Sequence, residues 1–247
     1  MKTPLIELVR EIMDVDIRTA TGLILAGTVL VDGEPETRVN LAIDSDKSVV
    51  SFKKRRELVS RGGHKLEAAF ESFDLSVDGY VCVDLGSSTG GFTQVLLNKG
   101  AYKVYAVDCG TNQLDYGLRV DPRVVSFENT MAQNLNKEVI KDKIDLCVSD
   151  LSFTSSFFIV DHLRNALEIK QFIVLIKPQF EYDRLMSILN LPLEFDGIIR
   201  NADLRKKIVD YIQNEFIINR FSISGLIESP IKGSKGNVEY LFYLQCN

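Results

Sequence analysis

The 247-residue chain has little that would tie it to a membrane, a metal or an oxidising compartment. No apolar run approaches the ~20 residues needed to span a bilayer. The amino terminus carries no charged-then-apolar leader. Its four cysteines, Cys82, Cys109, Cys147 and Cys246, are scattered in or beside predicted strands, with no C-x-x-C pair and no histidines at metal spacing. They read as small buried hydrophobes in a reducing compartment. The expectation is a cytoplasmic protein without a membrane span or a metal site. A basic excess is missing too: the net charge is −5, so any nucleic-acid contact must come from a local patch rather than from global steering. Internal repeats and low-complexity segments are absent. At 45% hydrophobic and 26% charged, the composition is that of an ordinary globular protein. The length suits one α/β domain plus a small module.

The most informative stretch is Val81-Cys-Val-Asp-Leu-Gly-Ser-Ser-Thr-Gly-Gly-Phe92. Alternating Val81, Val83 and Leu85 predict a strand, the Gly/Ser run a turn, and Phe92, Val95 and Leu96 one face of a helix that stops at Gly100. A strand, a glycine turn and a helix in that order aim backbone N–H groups and a positive dipole end into a crevice at the carboxyl edge of a sheet. A second strand, Lys103–Val107, ends in Asp108, an acid placed to hold the two hydroxyls of a ribose. The turn Gly86-Ser87-Ser88-Thr89-Gly90-Gly91 lacks the G-x-G-x-x-G spacing of a dinucleotide site. Asp84 would repel phosphate and attract an ammonium group. An amino acid joined to adenosine fits better, which is S-adenosylmethionine, with Asp84, residues 86–92 and Asp108 as its candidate contacts. A D-x-G-x-x-x-G-G string alone would also suit an ordinary strand-to-helix turn.

Residues 1–50 carry their own cycle of elements: a helix over 16–26, strands over 28–31, 36–39 and 48–52, and a hairpin signal at Asp32-Gly33. The predicted organisation is a small α+β module over 1–55, a basic linker over 56–60 and a catalytic domain over 61–247. Residues 53–65 hold six Lys or Arg against Glu57 alone, whereas the first 52 hold five against nine acids. Charge runs are usually solvated linkers, and contact with phosphate is the rival reading for Lys53, Lys54, Arg55 and Arg56. From about residue 60 helix and strand alternate. Helices are predicted over 65–73 and 204–216, and strands over Val81–Leu85, Lys103–Val107, Val124–Phe127, 144–149 and 172–176. Two antiparallel strands, 221–227 and 239–244, close the sheet. Such β-α repeats predict a doubly wound, mostly parallel sheet.

Four ionisable residues fall where a site at such a sheet edge would be. Asp150 and Lys177 follow the ends of predicted strands, Lys65 opens a helix and Glu239 starts the last strand. Taken singly, each also reads as a solvated side chain or a turn cap. Lys177 stands out, because Phe-Ile-Val-Leu-Ile runs an apolar strand straight into a charge.

Five segments together carry a resemblance: Ser60-Arg-Gly-Gly-His-Lys-Leu, Asp84-Leu-Gly-Ser-Ser-Thr-Gly-Gly-Phe-Thr, Ser149-Asp-Leu-Ser-Phe, Ile176-Lys-Pro-Gln-Phe-Glu and Lys235-Gly-Asn-Val-Glu-Tyr. In this order they resemble the TlyA (hemolysin A) family of FtsJ-like ribosomal RNA 2′-O-methyltransferases. The segment Arg18-Thr-Ala-Thr-Gly-Leu-Ile-Leu-Ala-Gly-Thr-Val-Leu-Val-Asp-Gly is similar to the ribosomal protein S4-like RNA-binding domain of that family. The resemblance implies a Rossmann-like catalytic domain after an S4-like module. It also implies S-adenosylmethionine as cofactor, cytidine in ribosomal RNA or ribosomal subunits as substrate, and a catalytic tetrad of Lys65, Asp150, Lys177 and Glu239. Asp150 would also lie near the methionyl amine. Arg18, Arg61 and Lys53–Arg56 become candidate RNA contacts. Where relatives carry a glycine-rich loop, residues 182–197 are bulky and partly helical in pattern. Two rival readings remain: a non-catalytic RNA-binding or ribosome-assembly protein of the same fold, and a hemolysin-associated protein. Absence of a spanning or strongly cationic amphipathic helix argues against direct pore formation.

Overall fold

The computed structural model describes every residue except 1, 26, 45–46, 53–57, 153 and 247. It divides the chain into two compact units, Met1–Glu57 and Leu58–Asn247. Residues 58–60, expected in the linker, belong to the second unit: Val59 N donates to Gln94 Oε1 (2.7 Å), and Leu58 and Val59 pack on its core.

The first unit contains strand β1 (Lys2–Pro4), helices α1 (Leu5–Met13) and α2 (Ile17–Leu25), and strands β2 (Val29–Val31), β3 (Glu34–Pro35), β4 (Ala42–Asp44) and β5 (Val50–Phe52). Among the described residues β1 pairs with β4, and β2 pairs with β3 and β5, all antiparallel. Asp32 and Gly33 both have positive φ and form the two-residue β2–β3 turn that their sequence signals. The strand expected over 36–39 does not form. Glu36 Oε1 accepts from Thr37 N and Arg38 N, removing donors a ladder would need. The carbonyls of Val39 and Leu41 instead accept from Ile6 N and Leu5 N at the start of α1. Helix α1 and the β1–β4 pair are additions to the sequence reading. Leu5, Ile6 and Val9 fill the core with Ala20, Ile24, Val29 and Ile43.

The second unit is a seven-stranded sheet in the order β11-β12-β10-β9-β6-β7-β8, where β6 is Val81–Leu85, β7 Lys103–Val107, β8 Val124–Phe127, β9 Leu146–Ser149, β10 Gln171–Ile176, β11 Phe221–Glu228 and β12 Tyr240–Cys246. Pairings from β10 through β9, β6 and β7 to β8 are parallel, and β12 runs antiparallel between β10 and β11. The expected fold class is correct for this unit: an α/β, doubly wound, Rossmann-like sheet, mostly parallel with an antiparallel last strand. Helices α3 (Gly63–Phe73), α4 (Gly91–Asn98) and the short α5 (Tyr116–Arg119) bury Leu66, Phe70, Leu96 and Leu118 on one face. Helices α6 (Ser156–Ala166), α7 (Pro178–Leu189) and α8 (Ala202–Ile218) bury Phe157, Leu163, Leu185 and Phe216 on the other. The bulky segment 182–197 is half helix. Tyr182 is buried, stacks on Phe195 with ring centroids 3.9 Å apart, and its hydroxyl donates to Pro192 O. No helix among the described residues is long and apolar enough to cross a membrane. Strand order reverses between β6 and β9, and open α/β sheets keep their ligand crevice outside the carboxyl ends at that point.

Candidate active site

Turn 86–90, which leaves β6, is shaped by its glycines. Gly86 has φ +76°, and a Cβ there would lie 2.8 Å from Asp150 O, so the turn presses against the end of β9. Gly91 opens α4, and a Cβ on Gly63 would lie 2.9 Å from its carbonyl. Two helix N-termini therefore meet backbone to backbone, and Lys65, the third residue of α3, lines a cavity with Gly86 and Asp150. The Arg-Gly-Gly-His-Lys and Thr-Gly-Gly-Phe segments form one packing unit.

Lys65, Asp150, Lys177 and Glu239 come together in one chain of contacts. Lys65 Nζ donates to Glu239 Oε2 at 2.7 Å and stands 3.7 Å from Asp150 Oδ2. Lys177 Nζ lies 2.6 Å from Asp150 Oδ1 and donates to Ser152 Oγ at 3.0 Å. The two lysines and Glu239 are buried, and the Asp150 side chain keeps 22% of its exposure. Gln179 Nε2 donates to the second oxygen of Glu239 at 3.2 Å, a contact the sequence reading did not foresee. Glu239 sits one residue before β12 rather than in it, and a Cβ on Gly233 would lie 2.0 Å from its Oε1. These residues line a cavity of about 300 Å³, together with Arg61, Ser152 and Lys232.

A crevice of about 550 Å³ adjoins that cavity through Gly86, Ser88, Asp150 and Ser152. Asp108 lines it, with Oδ2 accepting from Ser88 N (2.8 Å) and Oδ1 from Gly110 N (2.7 Å), so its carboxylate ties the two loops together. Opposite lie Thr130, Met131, Ala132 and Gln133, which the sequence reading missed. Their only sequence signal is their place in the loop after β8, the next strand end along the same edge.

The remaining turn residues lie elsewhere. Ser87 is buried beside Asp108 and Thr89 is exposed. Gly90 packs its backbone against Leu114 and Leu118. Phe92, expected at the cofactor, points into the core with Leu66 and Leu96, as an apolar residue on the inner face of α4 must. Asp84 is fully buried beneath the turn. Its Oδ2 accepts from Thr93 Oγ1 at 2.6 Å, and its Oδ1 has no hydrogen-bond partner among the described residues. Burial pushes its carboxyl up to about 7 against the opposing Thr93 hydroxyl, with Asp150 and Asp108 pushing the same way.

Of the RNA candidates, Arg61 is exposed at the tetrad cavity and Arg18 is exposed on α2. Lys53, Lys54, Arg55 and Arg56 lie outside the described residues. Among the described residues no cluster of His, Cys, Asp and Glu could hold a metal ion. A further cavity of about 630 Å³ at residues 182–204 contains none of the tetrad.

A family model described as FtsJ-like methyltransferase matches residues 58–246. The chain is 44% identical over 225 residues to Hemolysin A of Brachyspira hyodysenteriae, covering 90% of each protein. It is 39% identical over 241 residues to the 16S/23S rRNA (cytidine-2′-O)-methyltransferase TlyA of Mycobacterium tuberculosis, covering 97% of this chain and 88% of that one. A solved structure of a Streptococcus thermophilus protein provisionally assigned as a hemolysin is 34% identical with a TM-score of 0.71, covering 100% of this chain and 89% of the other.

Proposed function

The chain belongs to the FtsJ-like methyltransferase family, and we propose that it methylates the 2′-hydroxyl of a cytidine ribose in ribosomal RNA, using S-adenosylmethionine. The observation that carries this reading is the Glu239–Lys65–Asp150–Lys177 chain of contacts beside a crevice walled by Asp108.

The crevice suits the cofactor on its own terms. Its volume is in the range of small-molecule sites. Asp108 keeps lone pairs for ribose hydroxyls, and Thr130–Gln133 offer a wall for a base. Asp150 stands at the junction of crevice and cavity, within reach of both cofactor and acceptor. When bound, S-adenosylmethionine supplies a methyl group on a positively charged sulfur that departs as a neutral thioether.

The chain's own residues handle the acceptor. As the O–CH₃ bond forms, the ribose O–H bond breaks and its proton passes to the Lys177 amine, which Asp150 and Ser152 hold in place. Lys65, fixed between Glu239 and Asp150, stabilises the charge developing on the ribose oxygen. Once Lys177 has accepted the proton, two ammonium groups stand against two carboxylates, which offset the charge it gains. The displacement itself gains most from positioning.

The module over residues 1–57, with exposed Arg18 and the 53–56 run, is the RNA-binding arm of the protein, which acts in the cytoplasm. Resemblance of that module to the S4-like domain supports this part of the reading. Nucleoside mass spectrometry of ribosomal RNA from a deletion strain tests the whole. Loss of a 2′-O-methylated cytidine that returns on complementation is expected. An unaltered modification profile would leave the non-catalytic alternative standing.

A further inference from the structure

The tetrad is internally balanced, because each lysine has a carboxylate within 2.7 Å and each carboxylate a lysine. The cavity around it is not. Arg61 and Lys232 also line it, both are exposed, and neither side chain makes an ion pair or hydrogen bond with any described residue. The site therefore carries two surplus positive charges, on two elements far apart in the chain.

Lys232 does not hang from a loose loop. Ser229 N donates to Glu239 O (2.8 Å) and Ser229 Oγ to Ile231 O (2.7 Å), fixing the residues before it. Gly233 N donates to Asn237 O (2.8 Å) just after it. Asn237, 3% exposed, anchors the far side: its Nδ2 donates to Gly197 O (2.8 Å) and its Oδ1 accepts from Ile199 N (3.0 Å). Gly233 itself lies against the Glu239 carboxylate. The turn that seats a tetrad acid thus also presents a free ammonium beside it. Arg61 faces the cavity from the residues just ahead of α3, whose positive dipole end adds to its field.

A ribose that offers its 2′-hydroxyl to Lys177 brings two phosphodiesters with it, one on each side. We propose that Lys232 and Arg61 hold these two flanking phosphates, with Lys232 a substrate-positioning residue for the reaction. This rests on the RNA reading above. Phosphate neutralisation is the chemistry that two unpaired cations around an internally paired catalytic group supply, and it fixes register without reading sequence. It also explains how a chain of net charge −5 can engage RNA at this site.

The test uses the full chain with Lys232→Gln, Arg61→Gln, Lys232→Arg and, as a control at the amino end of β9, Lys143→Gln. Binding to a short single-stranded RNA is measured across a salt series, and methylation of ribosomal RNA under steady-state conditions. Each of the first two substitutions is expected to reduce the slope of log affinity against log salt by about 0.7, the loss of one single-strand phosphate contact. Each should raise KM for RNA several-fold more than it lowers kcat. Lys232→Arg should restore both readouts, and Lys143→Gln should change neither. An unchanged slope and KM in Lys232→Gln, with wild-type methylation intact, overturns this inference and leaves the proposed activity in place. A reduced slope in a protein that transfers no methyl group would do the reverse. A wild-type chain that does not bind RNA removes both.

Discussion

Lys65 donates to Glu239 across 2.7 Å although 174 residues separate them in the chain. The contact spans the site: Lys65 arrives on the first turn of α3, Glu239 at the entrance to β12, and Asp150 and Lys177 come from the ends of β9 and β10 between them. Two close backbone approaches make it possible, Gly63 against Gly91 and Gly233 against the Glu239 carboxylate.

Lys177→Ala should abolish methyl transfer while leaving S-adenosylmethionine affinity nearly intact, because Lys177 lines the tetrad cavity and not the adjoining crevice. Loss of a general base costs roughly 10²–10⁴ in rate. Single-turnover methylation at saturating cofactor and RNA is the measurement. A variant within a few-fold of wild type would remove this lysine from the mechanism.

Asp108→Ala should weaken cofactor binding by about 1.5–3 kcal/mol, the size of a lost charge-assisted hydrogen bond. Its carboxylate also bridges Ser88 N and Gly110 N, so the thermal midpoint should fall with it. Calorimetry of cofactor binding checks the first effect and thermal unfolding the second. Equal affinity in both proteins would take Asp108 out of the site.

Gly233→Ala is a packing test of Glu239. The backbone there, φ −71° and ψ −167°, accepts alanine, but the new methyl would lie 2.0 Å from Glu239 Oε1. The carboxylate must leave Lys65 or Gln179, and displacement of this order lowers turnover by roughly 10–100-fold. Cofactor affinity should hold, since Gly233 does not line the crevice. Wild-type turnover would mean that the position of Glu239 is unimportant.

Asp84 should give the fold a pH dependence of its own. Burial lifts its carboxyl from the ordinary 3.8 to about 7, so the protonated acid is the form the folded state favours. That contribution is complete below about pH 4, declines as pH rises and is gone above about 7. Asp84→Asn cannot ionise, so its stability relative to wild type should improve from pH 4 to pH 8, by on the order of 2–4 kcal/mol. Urea unfolding of both proteins across that range measures it. A stability difference that stays constant with pH would show that Asp84 does not titrate in this window.

Much of the framework is determined by the sequence alone, because its signals are local. Alternating apolar residues mark Val81–Leu85, Lys103–Val107 and Val124–Phe127 to the residue, and β-α alternation forces a doubly wound sheet whose reversal point sets the crevice. The motifs also name Lys65, Asp150, Lys177 and Glu239. Which carboxylate pairs with which lysine was left to the tertiary structure, because a charge at a strand end has no periodic signature and its partners depend on how distant crossovers return. The same holds for Gln179 behind Glu239, Thr130–Gln133 on the crevice wall, and Lys232 on a turn pinned by Asn237. Asp84 and Phe92 sit in a motif that points at the ligand, yet packing turns one under the floor of the turn and the other into the core. Residues 36–39 were decided by a single side chain, since Glu36 accepts the N–H groups that a strand would have used. Pattern sets what each segment becomes and which face it buries; only the folded chain sets which polar atoms end up within hydrogen-bond distance of one another.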